Sequence, residues 1–183
     1  MTTFISTLKS SAREIRKIST ITGAALLTAM NTVLGYFTIM VGNFLKIGFS
    51  YLTLAVAGFL YGPVIGGILG GLSDILNYVI KPTGPFFPGF TFNAILSGFI
   101  YGLILYKKPV SLLRVFLTKL LLVIIVDLIL TTTWLSILYG EAFIVLLPMR
   151  ALKNLIMLPI DTTFIYFIIS RLTKILKTEI KHQ

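Results

Sequence analysis

Between Leu45 and Ala94 the glycines fall at a spacing that dictates how closely two helices can approach. Gly58, Gly62, Gly66 and Gly70 recur every fourth residue, and Gly67 and Gly71 form a second such pair. In lipid, apolar burial gives helices no preference for one another, so they associate where small residues let their backbones meet. Gly66, Gly70 and Asp74 share one helical face, so the smooth stripe ends on a carboxylate inside an apolar segment. An ionisable group there is costly and turns toward a cavity or a partner group. Packing alone accounts for any single glycine; the whole combination is more particular.

The remainder of the 183-residue chain fits a membrane setting: 56% of it is hydrophobic, mean hydropathy is +0.97, and 12% is charged. A soluble domain carries roughly a quarter charged residues, so this is an integral membrane protein. With no cysteine, disulfides, thiolate metal sites and cysteine nucleophiles are excluded. His182, the sole histidine, is expected in a tail, which leaves no histidine for acid–base work or metal ligation.

A bilayer core takes about 20 apolar residues per helix. On that measure the chain is all-α with six transmembrane helices, at 19–41, 49–61, 63–80, 90–106, 112–138 and 147–172. The second is short, and the third begins with Pro63, whose missing N–H does no harm in a first turn. A single domain over 1–183 is the economical expectation, with basic tails at 1–18 and 173–183. The basic run Lys9 to Lys17 resembles a targeting region, but the segment behind it is long enough to span and has no clear cleavage site.

The net charge of +10 reads first as orientation. Lys9, Arg13, Arg16 and Lys17 precede the first span. Lys107, Lys108 and Arg114 join the fourth to the fifth, and Arg171, Lys174, Lys177 and Lys181 follow the sixth. Six spans put all three groups on one side, which the positive-inside rule makes cytoplasmic, with both termini there. The outer side then holds Lys46, Lys81 and Arg150, with Lys153 one turn into the sixth span, against the single acid Glu141. Each cation alone could snorkel to headgroups, but four together point to an anionic ligand.

Catalytic machinery is missing. No G-x-x-x-x-G-K-[ST] occurs, no Ser-His-Asp set can be built, and Glu14, Asp74, Asp127, Glu141, Asp161 and Glu179 are too scattered to hold a metal. No cofactor is expected. Binding chemistry is better supplied. The loop KPTGPFFPGFTFN sets Phe86, Phe87, Phe90 and Phe92 among three prolines that stiffen the backbone. Trp134 lies near the outer end of the fifth span; it and these phenylalanines are also the residue types that anchor at membrane interfaces. Arg150, Asn154, Met157 and Asp161 share one face of the sixth span, which should point into the bundle. Asp161 and Asp127 are expected to be structural partners of other buried polar groups. Ala25 and Ala29, four apart in the first span, mark a face on which another helix can sit closely.

Three stretches carry a resemblance: LKIGFSYLTLAVAGFLYGPVIGGILGGLSDILNYVIKPTGPFFPGF, TTTWLSILYGEAF and PMRALKNLIMLPID. They resemble the folate-specific substrate-binding (S) component of energy-coupling factor (ECF) vitamin transporters, over most of the chain from Ala24 to Asp161. The resemblance implies a six-helix S-component bundle in a prokaryotic-type cell membrane that binds its vitamin near the outer face. It implies as partners a transmembrane coupling protein and two ATP-binding cassette ATPases, with Ala25 and Ala29 packing against the coupling protein. Folate needs stacking partners for its flat rings, for which Trp134 and the Phe86–Phe92 cluster with Phe90 are candidates. Its pterin edge calls for Asn93, Asn154 or Asp74, and its glutamate tail for Lys46, Lys81, Arg150 or Lys153. Three alternatives stay open: an S component for riboflavin, thiamine or a precursor; a small secondary carrier, disfavoured because the glycine-rich break occurs in one half only; and a membrane enzyme, which lacks acid–base groups.

Overall fold

The computed structural model describes residues 2–41, 45–82 and 84–181. Gly42, Asn43, Phe44 and Thr83, from two of the loops expected on the outer side, and His182 lie outside the described residues. The elements are α1 (Thr2–Glu14), α2 (Ile18–Tyr36), β1 (Ile39–Val41), β2 (Leu45–Ile47), α3 (Tyr51–Tyr61), α4 (Pro63–Ile80), α5 (Pro88–Leu105), α6 (Leu112–Leu122), a π-helical segment (Val123–Leu130), α7 (Thr131–Tyr139) and α8 (Phe143–Lys181). Because α6, the π segment and α7 run end to end, the described residues form seven helical rods, not six.

The extra rod is α1, and its place explains why it is not a tail. Ser11 is fully buried. Its hydroxyl donates to the Tyr61 carbonyl at 2.8 Å and accepts from the Val64 N–H at 3.1 Å. One side chain thus caps the end of α3 and the start of α4 across the Gly62 break, where φ is +87° and glycine is favoured. Ser10 shares a hydrogen bond with the Tyr106 hydroxyl and accepts from Lys107 Nζ. At the corner into α2, Lys17 donates to Glu14 at 2.9 Å and holds that carboxyl below the usual range.

The first apolar segment is also shorter as a helix than expected. It leaves α2 at Tyr36 and enters an antiparallel hairpin with Met40 opposite Lys46. At the other end, α8 runs on through 173–181, where a tail was expected, and passes both Pro148 and Pro159.

The glycine stripe makes the seam that organises the bundle. A Cβ on Gly66 would strike the Gly98 carbonyl, one on Gly98 the Gly66 carbonyl, and one on Gly70 the Ala94 carbonyl. One turn further along α5, a Cβ on Gly58 would strike the Gly102 backbone nitrogen, and one on Gly102 the Gly62–Pro63 backbone. Two helices therefore lie backbone on backbone, α4 against α5, with α3 joined at the same seam. Around it pack Leu69, Tyr101, Val115, Ile165 and Ile169, all sealed. Outward, Ile68, Leu72, Val79, Leu113, Ile144 and Leu155 leave half or more of their surface exposed. So large an apolar exterior is a liability in water and natural against lipid tails. Among the described residues four helices (α2, α4, α5 and α8) are long and apolar enough to cross a membrane.

Candidate ligand-binding site

A cavity of about 380 Å³, a usual size for a small-molecule site, opens between the hairpin, the α4–α5 loop and the ends of α7 and α8. Nine of the residues expected from the sequence line it: Lys46, Asp74, Lys81, Phe86, Phe87, Phe90, Asn93, Arg150 and Lys153. Trp134 stands directly behind the wall, and Asn154 is buried one turn below Arg150.

The aromatic end is built by the proline-rich loop folding over α7. Phe87 packs 5.6 Å from Trp134 and 5.9 Å from Phe90, centroid to centroid, in tilted and edge-on geometries. Gly89 permits this, since a Cβ there would press on both Phe87 and the indole. Trp134 Nε1 donates to Asn93 Oδ1 at 3.1 Å, and Asn93 Nδ2 donates to the Thr131 hydroxyl at 2.9 Å. With its amide oriented from both sides, Asn93 presents a defined edge. Asp74, half-buried, accepts from Thr91 at 2.8 Å on one oxygen.

The whole lining holds four cations against two carboxylates, Asp74 and Asp127, an excess of two positive charges. The cations differ in freedom. Lys81 donates to the Tyr36 and Thr38 carbonyls at 2.7 and 3.2 Å and lies over the Tyr36 ring, so it also ties down the end of α2. Arg150, buried, donates through Nε and Nη2 to the main-chain carbonyl of Asp127. Lys46 and Lys153 make no hydrogen bond or ion pair among the described residues and line the cavity. Crowding by surrounding protein pulls the Lys46 ammonium below the ordinary lysine value; Asp74 opposes this and Lys81 adds to it.

Three contributors were missed. Asn31, buried in α2, donates to the Ser50 carbonyl at 2.9 Å and to Thr53, and accepts from Asn77 at 2.9 Å, tying α2, α3 and α4 together beneath the cavity. Thr131 holds Asn93. Lys119, a cation in α6, pairs with Asp161 at 2.9 Å, giving Asp161 the structural role expected for it. The signal for all three was a polar residue inside an apolar span.

A membrane-embedded bundle with an aromatic and cationic pocket beside its hairpin belongs to a recognisable class of transport subunits. Residues 19–170 match the family model described as ECF transporter, substrate-specific component, and the chain belongs to that family. Its members are substrate-binding transport subunits, not enzymes. Among curated proteins, the chain is 36% identical over 152 residues to the folate transporter FolT of Clostridium novyi (strain NT), covering 83% of this chain and 88% of that one. It is 32% identical to the folate transporter FolT of Leuconostoc mesenteroides subsp. mesenteroides, covering 80% and 82%. A solved structure, the crystal structure of FolT bound with folic acid, matches with a TM-score of 0.78 at 33% identity, covering 83% of this chain and 93% of that one.

Proposed function

We propose that this chain is the folate-binding subunit of an ATP-driven ECF transporter in a prokaryotic cell membrane. In this reading the single domain spans the bilayer six times with both termini cytoplasmic, and the cavity faces outward. The observation that carries it is the match between the cavity's two ends and the two ends of folate. Flat aromatic rings meet Phe87 and Phe90, which Trp134 backs from behind the wall; a tail with two carboxylates meets a lining with an excess of two positive charges. The names of the similar proteins support the same ligand. Asn93 and Asp74 take the pterin edge, and Lys46, Lys153 and Arg150 take the glutamate.

Delivery inward falls to partners, a transmembrane coupling protein and two ATPases, because this chain has no phosphate-binding loop. Ala25 and Ala29 are exposed on α2, as a docking face for the coupling protein requires. Vesicles holding this chain with the coupling protein, both ATPases and ATP should accumulate labelled folate, and vesicles holding the chain alone should only bind it. Accumulation by the chain alone would favour a self-sufficient carrier instead.

A further inference from the structure

Two successive carbonyls of the π segment hold both ends of the cavity. The Val126 carbonyl takes the Thr131 N–H, five residues on, and also the Thr131 hydroxyl at 2.7 Å. That same hydroxyl oxygen accepts Asn93 Nδ2, and Asn93 Oδ1 accepts the Trp134 indole. One residue further, the Asp127 carbonyl takes Arg150 Nε at 3.3 Å, Arg150 Nη2 at 3.1 Å and the Thr132 hydroxyl at 3.4 Å. Val126, Asp127 and Thr131 all line the cavity.

Regular α pitch aims each carbonyl along the axis at the N–H four residues on. A turn of five residues is wider, tilts its carbonyls outward and shifts the following residues around the rod. Four β-branched residues in a row, Val123 to Val126, open the segment and crowd an α turn. The wide turn therefore occurs where the site needs outward carbonyls.

We propose that the π segment is the positioning element of the site. Through the Val126 and Asp127 carbonyls it orients the ring-binding pair Asn93 and Trp134 together with the anion-binding Arg150, so one local backbone geometry sets both ligand ends. The identity of the ligand here rests on the folate reading; the geometry does not.

The test compares the full-length parent with Thr131→Val, Thr131→Ser and a deletion of Ile124, whose side chain is 44% exposed on the outer surface. Two readouts are taken: Trp134 emission without any ligand, and folic acid affinity by calorimetry. Thr131→Val should shift the ligand-free emission and weaken folic acid roughly tenfold, the scale of a lost buried hydrogen bond. Thr131→Ser should restore both. Deletion of Ile124, which returns the rod toward α pitch, should weaken binding further because Arg150 also loses its anchor. Parent-like emission and affinity in Thr131→Val would overturn the proposal. So would equal damage in Thr131→Ser, or a folded deletion variant with parent affinity. If the deletion variant does not fold, the Thr131 pair decides. If the parent binds no folic acid, the ligand reading fails and the emission comparison still decides the positioning role.

Discussion

Lys119 Nζ lies 2.9 Å from Asp161 Oδ2, and both side chains are more than nine-tenths sealed from the outside of the bundle. The ammonium also sits over the Tyr51 ring, 4.6 Å from its centroid. The pair joins α6 to α8 about two helical turns along from Asn154, on the face that also carries Arg150. Removing one partner leaves the other charge buried without compensation, a cost of roughly 3–5 kcal/mol, whereas replacing both with apolar residues is often neutral. Lys119→Met and Asp161→Leu should each lower thermal stability in detergent sharply, and the double variant should recover most of the loss. Additive losses would mean that the two charges do not act as a pair.

The glycine seam makes a sharper prediction because neighbouring glycines differ. A methyl group on Gly66 meets the Gly98 carbonyl at 2.5 Å, but on Gly67 the nearest atom is 3.4 Å away. Gly66→Ala should therefore force α4 and α5 apart and cut the yield of folded protein, while Gly67→Ala should be tolerated. Yield and size-exclusion profile of the two variants check this, and equal behaviour would contradict a backbone seam.

Ser11→Ala removes the only side chain seen to bridge the Tyr61 carbonyl and the Val64 N–H among the described residues. A lost helix cap costs about 1 kcal/mol. Two orphaned backbone groups should make this variant less stable than Ser10→Ala. Measured melting temperatures decide it.

Lys46 gives the site a pH dependence with a definite sign. Its ammonium loses its proton at a lower pH than an ordinary lysine because surrounding protein disfavours the charge. An anionic ligand needs the charged form. Affinity for folate should therefore be full near neutrality and fall as pH rises through the lowered lysine value. Lys46→Arg, which stays charged, should flatten that fall. An alkaline profile identical in parent and Lys46→Arg would remove Lys46 from the ligand's tail.

Much of this architecture was legible in the sequence because lipid imposes strong rules on length and polarity. The glycine face and the Arg150–Asn154–Asp161 face are periodic signals, and both turn inward as their spacing required. Helix α1 escaped because TTFISTLKSSARE is too polar and too short for a hydropathy criterion; only its contact with the Gly62 break shows why it orders. The hairpin escaped because three-residue strands merge with the apolar run before them. The π segment escaped because a β-branched run such as VIIV also fits an apolar span of regular α pitch, so it does not by itself announce a wide turn. Within the site, residue types were readable, but partnerships such as Trp134 with Asn93, 41 positions apart, exist only in the folded chain.

The most direct measurement is a titration of detergent-purified protein with folic acid, following Trp134 fluorescence and heat on the same sample. Trp134 is the sole tryptophan and packs on Phe87 at the aromatic end of the cavity, so quenching reports from there. A folate-binding S component should give saturable quenching and heat with one site per chain, with riboflavin and thiamine inert. No heat and no quenching with folic acid, or saturable binding of riboflavin in its place, would contradict the assignment of the ligand.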